Sequence, residues 1–278
     1  MTFAEDSHRA VFLDVDGTYA DHGVVPPAHV EAVRELRANG HYALLCTGRP
    51  ACAVSPLLTA AGFDGIVSSA GARVDIGGDI ITSTLFPQEV TRRAVEVLES
   101  HGATYALEAP QAMYASAAVE QLLDTLAPGP AATKERHQAW EVFRGALVVS
   151  DALGEHDCAK IFVFNSGGLM ADVVAEIGPE VSVVAGSNES LGERTGEIHL
   201  THITKAVGME AARVALGVRP ENVVAAGDGP NDLEMLAGAA TAIVVEGALP
   251  ELMAHADVVA RPPRDNGLVS AFRELGLI

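Results

Sequence analysis

Short apolar runs alternate with amphipathic stretches over the first seventy residues. "AVFL", residues 10–13, is continuously apolar, the pattern of a strand buried on both faces. In "PPAHVEAVRELRANG", Val30, Val33 and Leu36 recur at helical spacing, prolines open the turn and Gly40 stands where a helix ends. "HYALLCTGR" predicts a second strand closing on a Thr-Gly turn. "PACAVSPLLTAAG" predicts a helical segment bent at Pro56, and "FDGIVSS" a third short strand. Strand, helix and strand in repetition imply a mostly parallel sheet with helices on both faces, whose site lies just past the carboxyl ends of its strands. Asp14 and Thr47 occupy that position.

The rhythm changes near Ile80. "PQEVTRRAVEVLESHG", "AAVEQLLDTLAP" and "GGLMADVVAEIG" read as helices among the strand-like pieces "ATYALEAP", "QAMYAS", "FRGALVVS" and "AKIFVFN". "APGPAATKERHQA" is expected to be irregular and exposed. The opening rhythm returns with a helix in "THITKAVGMEAARVALGV", a strand in "PENVVAAGDG", a short helix in "NDLEMLAGA", and strands in "ATAIVVEG" and "ADVVA". The expected organisation is an α/β fold: a Rossmann-like parallel-sheet core from residues 1–79 and 191–278, with a second α/β domain at 80–190 inserted into it. No fixed-period repeat is present.

Charge narrows the partners. Lys and Arg total 18 against 37 Asp and Glu, a formal net charge of −19 over 278 residues, and no basic run concentrates the few cations. Such a surface repels phosphate backbones and anionic lipid, so neither nucleic acid nor membrane is an expected partner. Cys46, Cys52 and Cys158 form no CxxC pair, as suits a reducing compartment. "MTFAEDSHRA" has acids where a signal peptide has bases, and no apolar run approaches 18 residues. A cytoplasmic protein, monomer or homodimer, is expected.

The chemistry lies in the acids. Asp14 and Asp16 follow the first strand two residues apart, which in extended geometry turns both side chains to one side. A lone Asp-Gly is ordinarily a turn signal. Here, however, a second apolar strand ends in "VVAAGDGPNDLEML", bringing Asp228, Asn231 and Asp232. If both strands are central in one sheet, Asp14, Asp16, Asp228 and Asp232 converge, and each charge pair at about 4 Å repels by about 4 kcal/mol at an effective dielectric of about 20. A cation makes that crowding tolerable. The candidate ligands are all hard oxygens without a Cys or His cluster, which favours Mg2+ over zinc. Thr47 with the neighbouring N–H of Gly48 supplies neutral donors, and Lys205 a single positive charge, a set suited to a phosphoryl group.

With these residues in place, the sequence resembles the haloacid dehalogenase superfamily of phosphotransferases, most closely its subclass IIB, Cof-type sugar-phosphatase branch. "FLDVDGTYAD", "LLCTGR", "HITKAVGMEAA" and "VVAAGDGPNDLEML" are similar to its four motifs in order, and the likeness runs from end to end, with an α/β cap between the second and third. The resemblance implies a Mg2+-dependent phosphatase acting on a small phosphorylated metabolite. Asp14 would be the nucleophile and Asp16 the acid and base. Thr47, Gly48, Lys205 and Asn231 would hold phosphoryl oxygens with Asp14, and Thr18 would brace the loop through a local bond. Asp14, the main-chain carbonyl of Asp16, Asp228 and Asp232 would hold the metal. A phosphomutase, or a non-catalytic phosphometabolite-binding protein, remains an alternative.

The chain departs from the branch at Ala70, where Asn is common in "SSNGA", at Glu246–Ala248 and at Asp265–Gly267. Substrate choice is expected from the cap, hinged near residues 77–84 and 187–196. Glu108, Tyr114, Arg144, His156 and Asn165 lie on or near its strands, although ordinary packing is the commoner fate of such side chains.

Overall fold

A computed structural model of the protein describes residues 8–21, 23–184 and 189–278. The chain opens with β1 (Ala10–Leu13), α1 (Pro27–Ala38), β2 (Tyr42–Cys46), β3 (Gly65–Ser68), β4 (Arg73–Ile76) and β5 (Asp79–Ser83). The next elements are α2 (Gln88–Ser100), β6 (Thr104–Glu108), β7 (Met113–Ala115), α3 (Ala117–Leu126), α4 (Lys134–Gly145) and β8 (Leu147–Val149). They are followed by β9 (Lys160–Asn165), α5 (Met170–Ile177), β10 (Val181–Val184) and β11 (Gly196–Leu200). The chain closes with α6 (Lys205–Ala215), β12 (Val223–Gly227), α7 (Leu233–Gly238), β13 (Thr241–Val245), α8 (Pro250–Met253), β14 (Val258–Ala260) and α9 (Gly267–Glu274).

Two compact units result, one from residues 1–48, 55–83 and 204–278, the other from 49–54 and 84–203. β5 pairs with β4, which keeps residues 79–83 in the first unit. β11 pairs with β9 and β10, which keeps 196–200 in the second. Of the segment expected to hinge at 187–196, residues 187 and 188 lie outside the described residues.

The first unit carries an eight-stranded sheet in the order β14-β13-β12-β1-β2-β3-β4-β5, parallel from β14 to β3. β1 and β12 are wholly buried, as their unbroken apolar sequences require. From β1 the chain steps outward to β2 and β3, then returns to β12 on the other flank. Strand order therefore reverses between β1 and β12, and the crevice beyond the carboxyl ends of such neighbours is where open α/β sheets bind ligands. Phe12, Leu44, Val67, Met209, Val223 and Val244 belong to one apolar cluster on this sheet.

Two local expectations fail. "PACAVSPLLTAAG" forms a single 3-10 turn at Ala51–Ala53 followed by turns, not a helix. A residue before proline is pushed out of helical geometry, and buried Ser55 accepts the Leu57 N–H at 3.2 Å, offering the backbone another partner. Conversely, α4 begins inside the stretch expected to be irregular. Thr133 caps it by accepting the Arg136 N–H at 3.2 Å, while Trp140 and Phe143 pack on Ala106, Ala115, Val119 and Leu123. Its first turn is purely charged and polar, so the apolar stripe starts too late to announce a helix.

The second unit contains a six-stranded sheet in the order β10-β11-β9-β6-β7-β8. Lys160 on β9 lies directly across from Glu108 on β6 and diagonal to Glu197 on β11. Its ammonium is 3.1 Å from Glu108 Oε2 and 2.8 Å from Glu197 Oε2, with Lys160 2% exposed. Burial pushes the Glu108 carboxyl up to about 7, against the pull of Lys160 and with a further push from Glu197. Among the other cap residues singled out, Tyr114 stacks on His156 at 3.8 Å between ring centroids, and Arg144 pairs with Glu120 and Asp124. Asn165 is exposed at the end of β9. Lys160→Ala would leave two carboxylates without their buried counter-charge and is expected to destabilise this unit by about 3–5 kcal/mol. Chemical denaturation followed by tyrosine and tryptophan fluorescence measures this, and a loss below about 1 kcal/mol would contradict it.

Candidate active site

Parallel pairing places Leu13 beside Ala226 on one flank and Leu45 on the other, so Asp14, Gly227 and Cys46 are level at the sheet's carboxyl edge. The Asp14 N–H extends the ladder to Ala226 O at 2.9 Å, and the chain then turns back. The Tyr19 N–H reaches Asp14 O at 3.1 Å, and the Ala20 N–H reaches Val15 O at 2.7 Å. This turn needs Gly17, whose φ is +98° and where a Cβ would lie 2.2 Å from an Asp228 carboxylate oxygen.

One carboxylate oxygen each from Asp14, Asp228 and Asp232 lie within 4.8 Å of one another. Lys205, at the start of α6, sends its ammonium between two of them, 2.5 Å from Asp14 Oδ1 and 2.6 Å from Asp232 Oδ1. The other oxygen of Asp232 accepts the N–H groups of Asp228 at 3.0 Å and Gly229 at 2.9 Å, so Asp232 fixes its own loop as well as the lysine. Asp232 and Lys205 are fully buried or nearly so.

Asp14 and Asp16 differ in exposure. Because the backbone turns after Leu13, Asp14 is buried and Asp16 exposed, and the Asp16 carboxylate stands outside the group of three. Its charge still reaches Asp228. Thr18 does not brace its loop locally: its hydroxyl donates to Asp228 Oδ1 at 2.5 Å across 210 positions of sequence, tying the loop after β1 to the loop after β12. Thr47 is buried at the end of β2, with half-buried Gly48 after it, and Asn231 is half-buried in the 3-10 turn Pro230–Asp232. Ala70 has φ +54°, a left-handed backbone that Asn tolerates better than Ala.

His29 was not apparent as a site residue. It is buried on α1, with Nδ1 2.9 Å from Tyr19 O, and its Nε2 accepts the Leu268 N–H at 3.3 Å, which joins the loop after β1 to α9. Burial lowers its pKa, in keeping with a neutral ring that donates at one nitrogen and accepts at the other. The sequence signal was slight: His29 falls on the same helical face as Val33 and Leu36.

Burial, then Asp232, raise the Asp14 pKa well above the carboxylate range, against the pull of Lys205. Burial likewise raises Asp228 to about 6, despite the Thr18 hydrogen bond. Burial opposes the Lys205 charge too, but Asp14 and Asp232 outweigh it and hold the ammonium protonated. Three crowded carboxylates against one ammonium form a hard-oxygen set able to coordinate a divalent metal.

The family model of haloacid dehalogenase-like hydrolases matches residues 11–272. The chain belongs to that family. Among haloacid dehalogenase-like relatives, Bacillus subtilis YkrA is 25% identical over 276 residues, covering 97% of this chain and 98% of YkrA. The 5-amino-6-(5-phospho-D-ribitylamino)uracil phosphatase YwtE of Bacillus subtilis is 22% identical over 276 residues, covering 94% and 95%. The subclass IIB sugar phosphatase BT4131 shares the fold with a TM-score of 0.78 at 21% identity, covering 97% of this chain and all of that one. Membership of this family agrees with the α/β core carrying a second, smaller sheet. No helix among the described residues is long and apolar enough to cross a membrane.

The raised Asp228 pKa has a definite sign. A carboxyl whose folded pKa lies above its unfolded value stabilises the metal-free fold below about pH 4, and that contribution is lost as pH rises through about 6. A divalent cation binds the ionised form. Mg2+ at about 100 times Kd is expected to raise Tm by about 5 °C near pH 7.5 and by much less near pH 5. Differential scanning calorimetry at the two pH values checks this, and equal shifts at both would contradict it.

Proposed function

We propose that the chain is a Mg2+-dependent phosphatase of the Cof-type branch that hydrolyses small phosphate monoesters, such as sugar phosphates, through an aspartyl-phosphate. The observation that carries this reading is the meeting of Asp14, Asp228 and Asp232 around the Lys205 ammonium. The phosphatase name of YwtE supports the reaction class.

In this reading a carboxylate oxygen of Asp14 attacks phosphorus in line, and the bond from phosphorus to the ester oxygen breaks. Asp16 gives its proton to the departing alkoxide. It then takes a proton from the water that attacks the aspartyl-phosphate, releasing inorganic phosphate and restoring Asp14. The exposure of Asp16 suits a group that must meet both a leaving group and water. Lys205, Thr47, Gly48 and Asn231 orient the phosphoryl oxygens, and Lys205 also keeps Asp14 aligned. Asp14, Asp228, Asp232 and the main-chain carbonyl of Asp16 would hold Mg2+, which when bound neutralises charge at the carboxylates and phosphoryl group.

Release of nitrophenol from 4-nitrophenyl phosphate tests the reaction, with a panel of phosphorylated sugars and polyols defining the substrate. Turnover is expected to require Mg2+ and to fall at least about 1,000-fold in Asp14→Asn. Activity that survives metal chelation or this substitution would overturn the proposal. Asp16→Ala is expected to lower kcat by about 100- to 10,000-fold with Mg2+ affinity little changed, because the main-chain oxygen remains. Isothermal titration with Mg2+ separates the two effects, and parallel loss of both would remove Asp16 from proton transfer.

A further inference from the structure

The loop between β3 and β4 holds three successive residues at positive φ: Ser69 at 49°, Ala70 at 54° and Gly71 at 104°. Two of them carry a Cβ, for which this backbone is unfavourable, and both are buried, Ser69 1% and Ala70 8% exposed. Hydrogen bonds from their side chains do not offset the cost. Ser69 Oγ, with its neighbour Ser68 Oγ, is buried without a hydrogen-bond partner. Strained backbone persists where its surroundings over-determine it, and such strain concentrates at functional sites.

The surroundings here are two of the residues assigned above to phosphoryl oxygens. The Ala70 N–H donates to Thr47 O at 3.0 Å, and the Thr47 N–H donates to Val67 O at 2.8 Å. Thr47 is thus held on both sides by the segment 67–70. Gly71 meets the start of α6 so closely that a Cβ there would stand 2.0 Å from Thr204 O and 3.2 Å from Lys205 N. From within α6, a Cβ on Gly208 would come 2.8 Å from Gly71 Cα. One edge of the loop therefore grips Thr47 by hydrogen bonds, and the other abuts the peptide that delivers Lys205. Thr204 precedes that lysine as the N-cap, yet its hydroxyl makes no capping bond and has no partner. The N-cap peptide of α6 is thus held against Gly71 without help from a side-chain cap.

We propose that Ser69–Ala70–Gly71 is a positioning element that fixes Thr47 and Lys205 relative to one another. The proposal rests on the phosphatase reading, in which both side chains hold the transferred group. A loop that joined β3 to β4 for connection alone would have no need of a left-handed backbone at two residues other than glycine.

The test is Gly71→Ala in the full-length protein, assayed with 4-nitrophenyl phosphate and Mg2+ and corrected for the folded fraction by calorimetry. The new methyl must displace either the loop or the Thr204–Lys205 peptide. The expected result is a fall in kcat of about 10- to 100-fold, with KM changed less than about threefold and the Mg2+-induced rise in Tm retained. A folded Gly71→Ala protein turning over at the wild-type rate would overturn the proposal. So would a loss accounted for by the unfolded fraction alone. Amide hydrogen exchange on the wild type decides the matter if the variant does not fold. The Ala70 and Thr47 amides are then expected to be as protected as those of Val11 to Leu13, and exchange at the rate of exposed loops would count against the proposal. Wild-type protein without phosphatase activity overturns the phosphatase reading itself, whereas wild-type turnover that Gly71→Ala leaves intact overturns only the part given to the loop.

Discussion

Lys205 lies beneath the protein surface with its ammonium within 2.6 Å of both Asp14 and Asp232. Neither the lysine nor the aspartates could be buried singly at tolerable cost, since an isolated charge in the interior lacks the solvation that water gives it. Together they satisfy one another only in part: two carboxylates share one cation, and Asp228 adds a third negative charge nearby. The remaining imbalance is what makes the site receptive to a divalent ion. It also constrains the fold, because the end of β1, the start of α6 and the turn after β12 must meet to within the length of a hydrogen bond.

The parallel sheet meets that constraint. β1 lies between β2 and β12, and the pairing that sets Leu13 opposite Ala226 also sets Asp14 at the height of Gly227. Two side chains then cross-brace what the strands align. Thr18 reaches from the first loop to Asp228, and His29 links Tyr19 to Leu268 through the two sides of one neutral ring. Side chains carry these braces across long stretches of sequence, and the backbone loops between them need only turn in the permitted direction.

Much of this arrangement was legible because it is periodic or strongly punctuated. "AVFL" and "VVAAG" announce buried strands by lacking polar residues, and the Asp-Gly pairs after them mark the site edge. Residues whose role depends on a distant partner were harder to read. Thr18 looks like a turn residue until Asp228 is beside it, and His29 looks like one more buried position on α1. Asp14 and Asp16 differ in burial, because the loop from Asp14 to Ala20 folds back on itself and leaves only the first of the two acids beneath the surface. α4 and the turns after Pro50 escaped for opposite reasons. In the first, a charged opening turn hides a helix that packing supports, and in the second, apolar residues suggest a helix that two prolines and Ser55 prevent.

The central position of β1 also bears on biosynthesis. β2 and β3 follow β1 closely in sequence and can join it as soon as they are made, but its other neighbour is made only when Val223–Gly227 has emerged. Until then β1 lacks one of its two neighbours, and Asp14 at its tip lacks the acids at 228 and 232. The cluster of acids around Lys205 is complete only when the last of these segments has joined the sheet, so its charges are gathered by the same step that closes the fold over them.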